Sequence, residues 1–288
     1  MGAVGFIGLG NIGKPMALRL VADEATELWV YDVMAEPVAE LAAAGARAAS
    51  SVADLAVSVD VVSVMVRDDG QVSEVLDQLL AVAGRRPEGR PLTVVIHSTV
   101  APDTPAALAA RAAPSGVRVL DAPVSGGAMG AARGELAILV GGSEEAFAGV
   151  EPVLRLMGSQ VIHAGPVGAG TGMKLARNLL HFVSFTAATE AQRLAEAAGL
   201  DLVALGRVVR HTDSVTGGPG AVMHRATAAP IPVGDFWFEV FSHVRALGEK
   251  DLRYATELAD RLGVDVPLAR LALERLGPGL GLPEEERA

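Results

Sequence analysis

The sequence contains no cysteine. That absence excludes disulfide staples, thiolate metal sites and a cysteine nucleophile together, and it accords with a reducing compartment. There is no run of about 18 uncharged apolar residues of the kind a membrane helix needs. The start, Met1-Gly2-Ala3-Val4-Gly5-Phe6, lacks the basic head and apolar stretch of a secretory leader. The expectation is a cytoplasmic protein. No lysine-arginine cluster offsets a formal net charge of −10, so neither nucleic acid nor an anionic membrane is an expected partner. A small molecule is. Aromatic residues are scarce, and four of them, Phe236, Trp237, Phe238 and Phe241, fall within six positions. What the chain has in quantity is apolar surface: half of its 288 residues are hydrophobic, enough for substantial cores in one large domain or two ordinary ones.

The chain opens with an apolar run, Ala3 to Gly8, that ends in Gly8-Leu9-Gly10-Asn11-Ile12-Gly13 and leads into a helical stretch from Lys14 to Ala22. Strand, glycine turn and helix in that order are the context a GxGxxG motif needs to bind a dinucleotide. Gly8 makes the turn, Gly10 admits the pyrophosphate to the backbone, and Gly13 lets helix and strand approach. The turn as a whole, residues 8 to 13, is the expected phosphate cradle. A second apolar run ends at Asp32, 19 residues after Gly13, the usual distance for an acidic residue that accepts from both ribose hydroxyls of NAD and repels the 2′-phosphate of NADP. No cation follows Asp32 until Arg47. The expected cofactor is therefore NAD, with NADP second.

Strands and helices go on alternating: a helix near Pro37 to Ala44, a strand at Ala46 to Ala49, a helix near Val52 to Val57, and the strand Asp60 to Val66, whose last residue joins the expected cofactor contacts. These strands are apolar on both faces, which suits a parallel sheet between helices. A helix near Gln71 to Val82 and a loop from Gly84 to Pro91 lead to the strand Leu92 to His97. Ser98 and Thr99 at its carboxyl end either face the nicotinamide half of the cofactor or cap the next helix. Beyond the strand Gly116 to Leu120 lies Asp121-Ala122-Pro123-Val124-Ser125-Gly126-Gly127-Ala128-Met129-Gly130. This reads as an anchored loop whose glycine N–H groups, with the Ser125 hydroxyl, converge on an anion such as a carboxylate. A strand at Glu135 to Gly141, a helix capped by Ser143 and a strand at Gln160 to His163 complete the pattern.

Four glycines and a proline between Gly165 and Gly172 then mark a junction, placing a dinucleotide-binding domain at 1–165 and a helical substrate and dimerisation domain at 166–288. The second part reads as helix alone: Thr171 to Ala198, Asp201 to His211, Ala246 to Leu262 and Val266 to Leu276, with a frayed tail from Gly277. Lys174 and Asn178 lie four residues apart near the start of the long helix, so they share one face and can meet one substrate. The positive end of the helix dipole lowers the lysine pKa. From Leu175 to Ala188 this helix is apolar nearly all round, and its length of about 42 Å is more than a small helical domain can cover. The expectation is a homodimer, or a dimer of dimers, that buries the remainder.

Taken together, Gly5-Phe6-Ile7-Gly8-Leu9-Gly10-Asn11-Ile12-Gly13, Asp121-Ala122-Pro123-Val124-Ser125-Gly126-Gly127, Gly168-Ala169-Gly170 with Lys174 and Asn178, and Lys250-Asp251-Leu252 resemble the β-hydroxyacid dehydrogenase family, which includes 3-hydroxyisobutyrate dehydrogenase and tartronate semialdehyde reductase. The resemblance covers nearly the whole chain. It implies a Rossmann-type α/β domain followed by an all-α domain, an NAD(P)-dependent oxidoreductase acting on a 3-hydroxy acid, and Lys174 as the catalytic residue. It further implies Asn178 near the substrate, Ser125, Gly126 and Gly127 on the substrate carboxylate, and Thr99 and Lys250 on the cofactor. Two departures, His97 before the Ser-Thr pair and the long aromatic segment from Gly234 to Gly248, bear on substrate choice.

The chemistry asks for removal of a hydroxyl proton while a hydride leaves the same carbon. No metal-ligand cluster stands in the sequence to polarise the oxygen, so Lys174 takes and returns the proton while Asn178 fixes substrate and lysine. Trp237, which on a helix shares a face with Phe241 and Val244, either closes the apolar side of the substrate pocket or belongs to core or dimer packing. Two other readings compete. An imine reductase would have a similar cofactor domain but usually carries another residue at the Lys174 position. A nucleotide-binding oligomerisation module without chemistry would have no use for Lys174, Asn178 and the Ser125 loop together.

Overall fold

The computed structural model describes residues 2–86 and 90–283. The centre of the loop from Gly84 to Pro91 and the last five residues of the tail lie outside the described residues. The polypeptide forms two compact units, one up to Arg177 and one from Asn178.

The first unit is built on β1 (Val4–Ile7), α1 (Gly13–Val21), β2 (Leu28–Tyr31), α2 (Ala35–Ala43), β3 (Arg47–Ala48), α3 (Val52–Ser58), β4 (Val61–Val64), α4 (Asp69–Ala83), β5 (Thr93–Ile96), α5 (Thr104–Ala112) and β6 (Arg118–Asp121). It continues through β7 (Val124–Ser125), α6 (Gly127–Arg133), β8 (Ala137–Gly141), α7 (Glu144–Met157) and β9 (Gln160–Gly165) to the start of α8 (Ala169–Ala197). The sheet order is β3-β2-β1-β4-β5-β6-β8-β7, with β9 paired to β8. From β3 to β6 every pairing is parallel. The order reverses direction at β1, where α/β sheets open a ligand crevice at their carboxyl edge.

Successive strand residues point to opposite faces, and each face has its own core. Val4, Phe6, Val30, Val95, Leu120 and Ile138 pack with Met16 and Leu20 of α1 and with Val150, Leu154 and Met157 of α7. Ile7, Val62, Val64, Val94, Ile96 and Val119 pack on the other side with α3, α4 and α5. Burial on both faces explains the unbroken apolar runs. It does not set direction: β8 pairs antiparallel with both β6 and β7. No right-handed helical crossover separates these strands; only β7 and the seven-residue α6 lie between.

The second unit comprises the rest of α8, α9 (Leu202–Thr216), a 3₁₀ turn at Gly218–Val222, α10 (Phe236–Leu262) and α11 (Pro267–Gly279). Asp201 and Asp235 cap α9 and α10 through backbone N–H groups two residues on. Because of that second cap, α10 begins ten residues before the helix expected from Ala246, and the aromatic segment lies on it. Both carboxylate oxygens of the buried Glu190 accept from α11, from Leu268 N–H and Ala269 N–H at 2.9 Å each, which fixes α11 to α8. The chain does not fray at Gly277: α11 runs to Gly279, and Leu280 and Leu282 are buried against Ile231 and Phe241. No helix among the described residues is long and apolar enough to cross a membrane.

Candidate active site

The glycine turn after β1 divides its work among three glycines. A Cβ on Gly8, whose φ is +93°, would stand 2.2 Å from the Met65 carbonyl oxygen at the end of β4, and one on Gly13 would stand 2.0 Å from the Gly8 carbonyl oxygen. Both positions are closed to any side chain by backbone. Around Gly10 nothing lies within 4 Å of where a Cβ would be. The turn is thus packed shut at its ends and open at its middle, as a backbone that receives a pyrophosphate requires. Leu9 turns its side chain into the core and donates its N–H to Asp32 Oδ2 at 2.6 Å; Oδ1 accepts from Met34 N–H at 2.8 Å. Asp32 is therefore oriented by the same turn it adjoins. Asn11 is exposed, and Ile12 packs against the core beside α1.

At the carboxyl ends of β4 and β5, the Ser98 hydroxyl turns to Val66. It accepts from Val66 N–H at 3.0 Å and donates to Val66 O at 2.7 Å, which ties the two strand ends together. Thr99 is exposed, and α5 starts only at Thr104. Val66 is half-buried.

His97 points inward. Its Nδ1 lies 2.9 Å from Ala122 O and its Nε2 lies 3.1 Å from Ser63 Oγ. A carbonyl can only accept, so the proton sits on Nδ1 and the Ser63 hydroxyl donates to Nε2. Stacked near Phe6 and fully buried, the ring cannot carry charge cheaply, and burial pulls its pKa down to about 4 from 6.5. In the unfolded chain His97 takes up a proton below pH 6.5; in the folded chain it does so only below about 4. Stability is therefore complete above pH 6.5 and falls as the pH drops toward 4, by about 3 kcal/mol. Urea midpoints measured at pH 7 and pH 4.5 should show this loss, and His97→Gln should flatten it. Sequence reading linked His97 to substrate choice; the side chain is enclosed between strands instead.

The segment after β6 is the part least legible in the sequence. Asp121 is completely buried, and its carboxylate accepts from Gly168 N–H (Oδ1, 2.7 Å) and Thr171 N–H (Oδ2, 2.6 Å) across the start of α8. Close backbone approach makes room for this: a Cβ on Gly170 would stand 2.1 Å from Leu139 O, and one on Gly141 would stand 2.2 Å from Asp121 Oδ1. A charged acceptor at a helix N-terminus also satisfies the positive end of the dipole. Four residues on, Ser125 is half-buried in β7, and Gly126 and Gly127 adopt φ of +134° and +62°. What reads as a loop there is the entry to α6, which starts at Gly127.

Lys174, in the second turn of α8, is 8 % exposed. Its pKa is lowered first by burial and then by the like charge of Arg177. That differs from the expected cause, because Asp121 already occupies the helix terminus whose dipole was to lower it. Asn178 follows on the same helix and is half-buried. In the second unit, Trp237 lies parallel to His224 (5.6 Å) and against Phe241 (5.4 Å), beside the small core around Ile231. Lys250 is exposed on α10 and pairs with Asp251 at 3.2 Å. Asp121 and Thr171 are the two residues that sequence reasoning missed. An acidic residue at the carboxyl end of a strand was the available signal for Asp121.

Residues 3–165 match the family described as the NAD binding domain of 6-phosphogluconate dehydrogenase, and residues 168–277 match that described as NAD-binding of NADP-dependent 3-hydroxyisobutyrate dehydrogenase. An uncharacterised oxidoreductase of Mycobacterium tuberculosis H37Rv is 52% identical, over 98% of this chain and 95% of that protein. The 3-hydroxyisobutyrate dehydrogenase of Pseudomonas aeruginosa is 36% identical, over 93% of this chain and 89% of its own length. A crystal structure from Mycobacterium avium 104 superposes with a TM-score of 0.93 at 49% identity, covering 99% of this chain and 100% of that one.

Proposed function

The chain belongs to the β-hydroxyacid dehydrogenase family of NAD(P)-binding oxidoreductases, and on that premise we propose that it interconverts a 3-hydroxy acid and its oxo acid or semialdehyde, with Lys174 as general acid and base. The observation that carries this reading is Lys174 itself: nearly buried, with its charged form disfavoured, on a helix whose first turn is fixed to the sheet by Asp121. Such a lysine gives up its proton more readily than an exposed one, which suits a group that must take and return a proton. NAD, when bound, supplies the hydride acceptor. The residues of the chain do the rest: the turn at residues 8 to 13 receives the pyrophosphate, Ser125 with the N–H groups at Gly126 and Gly127 receives the carboxylate, and Asn178 orients the hydroxyl beside Lys174. Val66, Thr99 and Lys250 complete the proposed cofactor contacts.

NAD is the proposed cofactor because Asp32 presents a carboxylate at the end of β2 where a ribose would lie. Arg47, the next cation along the chain, is occupied by Glu27 (3.0 Å) and the face of Trp29. Initial rates with NAD and NADP across a panel of 3-hydroxy acids test both statements. We expect turnover with NAD and a kcat/KM at least about tenfold above that with NADP, roughly one charged hydrogen bond's worth of discrimination. Asp32→Ala should narrow that gap. A higher kcat/KM with NADP would remove the ribose assignment.

Leu179, Phe182 and Phe185 of α8 stand 69%, 59% and 54% exposed. Large apolar groups in one contiguous stretch of helix are a protein-contact surface, and we read this one as the face of a homodimer.

A further inference from the structure

The loop that leaves β4 is anchored at four successive residues. Val66 is held at its N–H and its carbonyl by the Ser98 hydroxyl, Arg67 N–H donates to Gln71 Oε1 at 3.0 Å, and Asp68 Oδ1 caps α4 by accepting from Gln71 N–H at 3.0 Å. Asp69 Oδ1 accepts from Ala101 N–H at 3.0 Å, which ties the loop to the segment after β5. The backbone is thus fixed, and what it presents to solvent is the Arg67 side chain, 80% exposed. Its ion pair with the exposed Asp68 is open, at 3.6 Å, and such surface pairs contribute little.

Position gives that cation a use. β4 lies beside β1 in the sheet, parallel to it and about 4.8 Å away, so Arg67 leaves the same carboxyl edge as the glycine turn. The two segments touch: a Cβ on Gly8 would stand 2.2 Å from Met65 O and 3.0 Å from Val66 Cγ1. In the loops that follow β1 to β6, among the described residues, Arg67 is the only arginine or lysine. Lys14, in the first turn of α1, is engaged by Glu40 of α2 at 2.8 Å. Asp32, bonded to Leu9 N–H, adds negative charge at the turn.

A dinucleotide brings a negative charge on each phosphate of its pyrophosphate into that neighbourhood. Against it the turn offers backbone N–H groups and a helix dipole, but no cation. Arginine presents paired N–H donors that match phosphate oxygens. We propose that Arg67 is a cofactor-binding residue whose guanidinium closes on the pyrophosphate received by the glycine turn. The proposal rests on the reading of residues 8 to 13 as the phosphate cradle. It adds the countercharge that the cradle itself lacks.

Arg67→Gln and Arg67→Glu test it, with NADH and with ADP-ribose, which carries the pyrophosphate without the nicotinamide. Dissociation constants come from NADH fluorescence and, for ADP-ribose, from its displacement of NADH. In about 0.05 M NaCl, Arg67→Gln should weaken both ligands by about fivefold, and Arg67→Glu by more, since it adds repulsion. In about 0.5 M NaCl the gap between parent and Arg67→Gln should shrink to about twofold or less, because an exposed ion pair is screened. Without ligand, both variants should melt with the parent, as the Arg67 side chain has only the open pair with Asp68 to lose. Unchanged dissociation constants in Arg67→Gln overturn the proposal and leave Arg67 a solvated side chain. A loss of equal size at both salt concentrations also overturns it, since the contact would then be with an uncharged part of the cofactor. A parent chain that binds neither ligand would remove the phosphate cradle together with this proposal, whereas binding that ignores Arg67 removes this proposal alone.

Discussion

Lys174→Ala is expected to lower kcat by about 10²- to 10⁴-fold, the range for a lost general acid-base group, while NAD binding measured by fluorescence titration stays close to that of the parent. The separation follows from where the groups lie. The glycine turn and Asp32 adjoin the ends of β1 and β2, whereas Lys174 is held on α8. Lys174→Arg distinguishes charge from proton transfer. A guanidinium keeps the positive charge but does not release its proton in this pH range, so it should fail as the alanine variant fails. The pH profile gives the third arm. In the oxidative direction the amine must start neutral, so kcat/KM rises with pH through the pKa of Lys174. Burial and Arg177 lower that pKa, and the rise should fall below the usual lysine range. Near-parental turnover in Lys174→Ala would remove the lysine from the chemistry and favour a nucleotide-binding module.

The second large effect is expected at Asp121. Asp121→Ala leaves the N–H groups of Gly168 and Thr171 without their acceptor and removes a buried charge that both were arranged around. Losing two charge-assisted hydrogen bonds in a buried setting costs about 3 to 5 kcal/mol. Urea denaturation at pH 7 should show a midpoint shift of that order. Asp121→Asn should recover only part of it, because the amide has one oxygen for one N–H and turns a second donor toward the other. Activity should fall as well, since the first turn of α8 sets where Lys174 begins. An Asp121→Ala protein of parental stability would mean that water can replace the carboxylate at the helix start.

Much of this was legible in the sequence because it is local. Glycine spacing after an apolar run, an acidic residue at the end of the next run and alternating strand and helix patterns depend on neighbours a few residues away. They brought out β1, the turn at Gly8 to Gly13, the acidic Asp32 after β2, most of the alternation of strands and helices along the chain, and the change to helix alone after residue 165. The lysine on α8 was legible for the same reason. What tertiary structure decided was direction and partnership. Two-sided apolarity told that β8 is buried, but only pairing shows that it runs antiparallel to β6. A serine after a strand reads equally as a ligand contact or a cap, and only the fold shows its hydroxyl closing on Val66. A histidine at a strand end carries no sign of which side it faces; once inside, between Ser63 and Ala122, its polarity becomes a matter of stability. Asp121 and Gly168 are 47 residues apart in the chain, a distance at which no periodicity or motif acts, so the contact that places Lys174 exists only when β6, β8 and the start of α8 have come together.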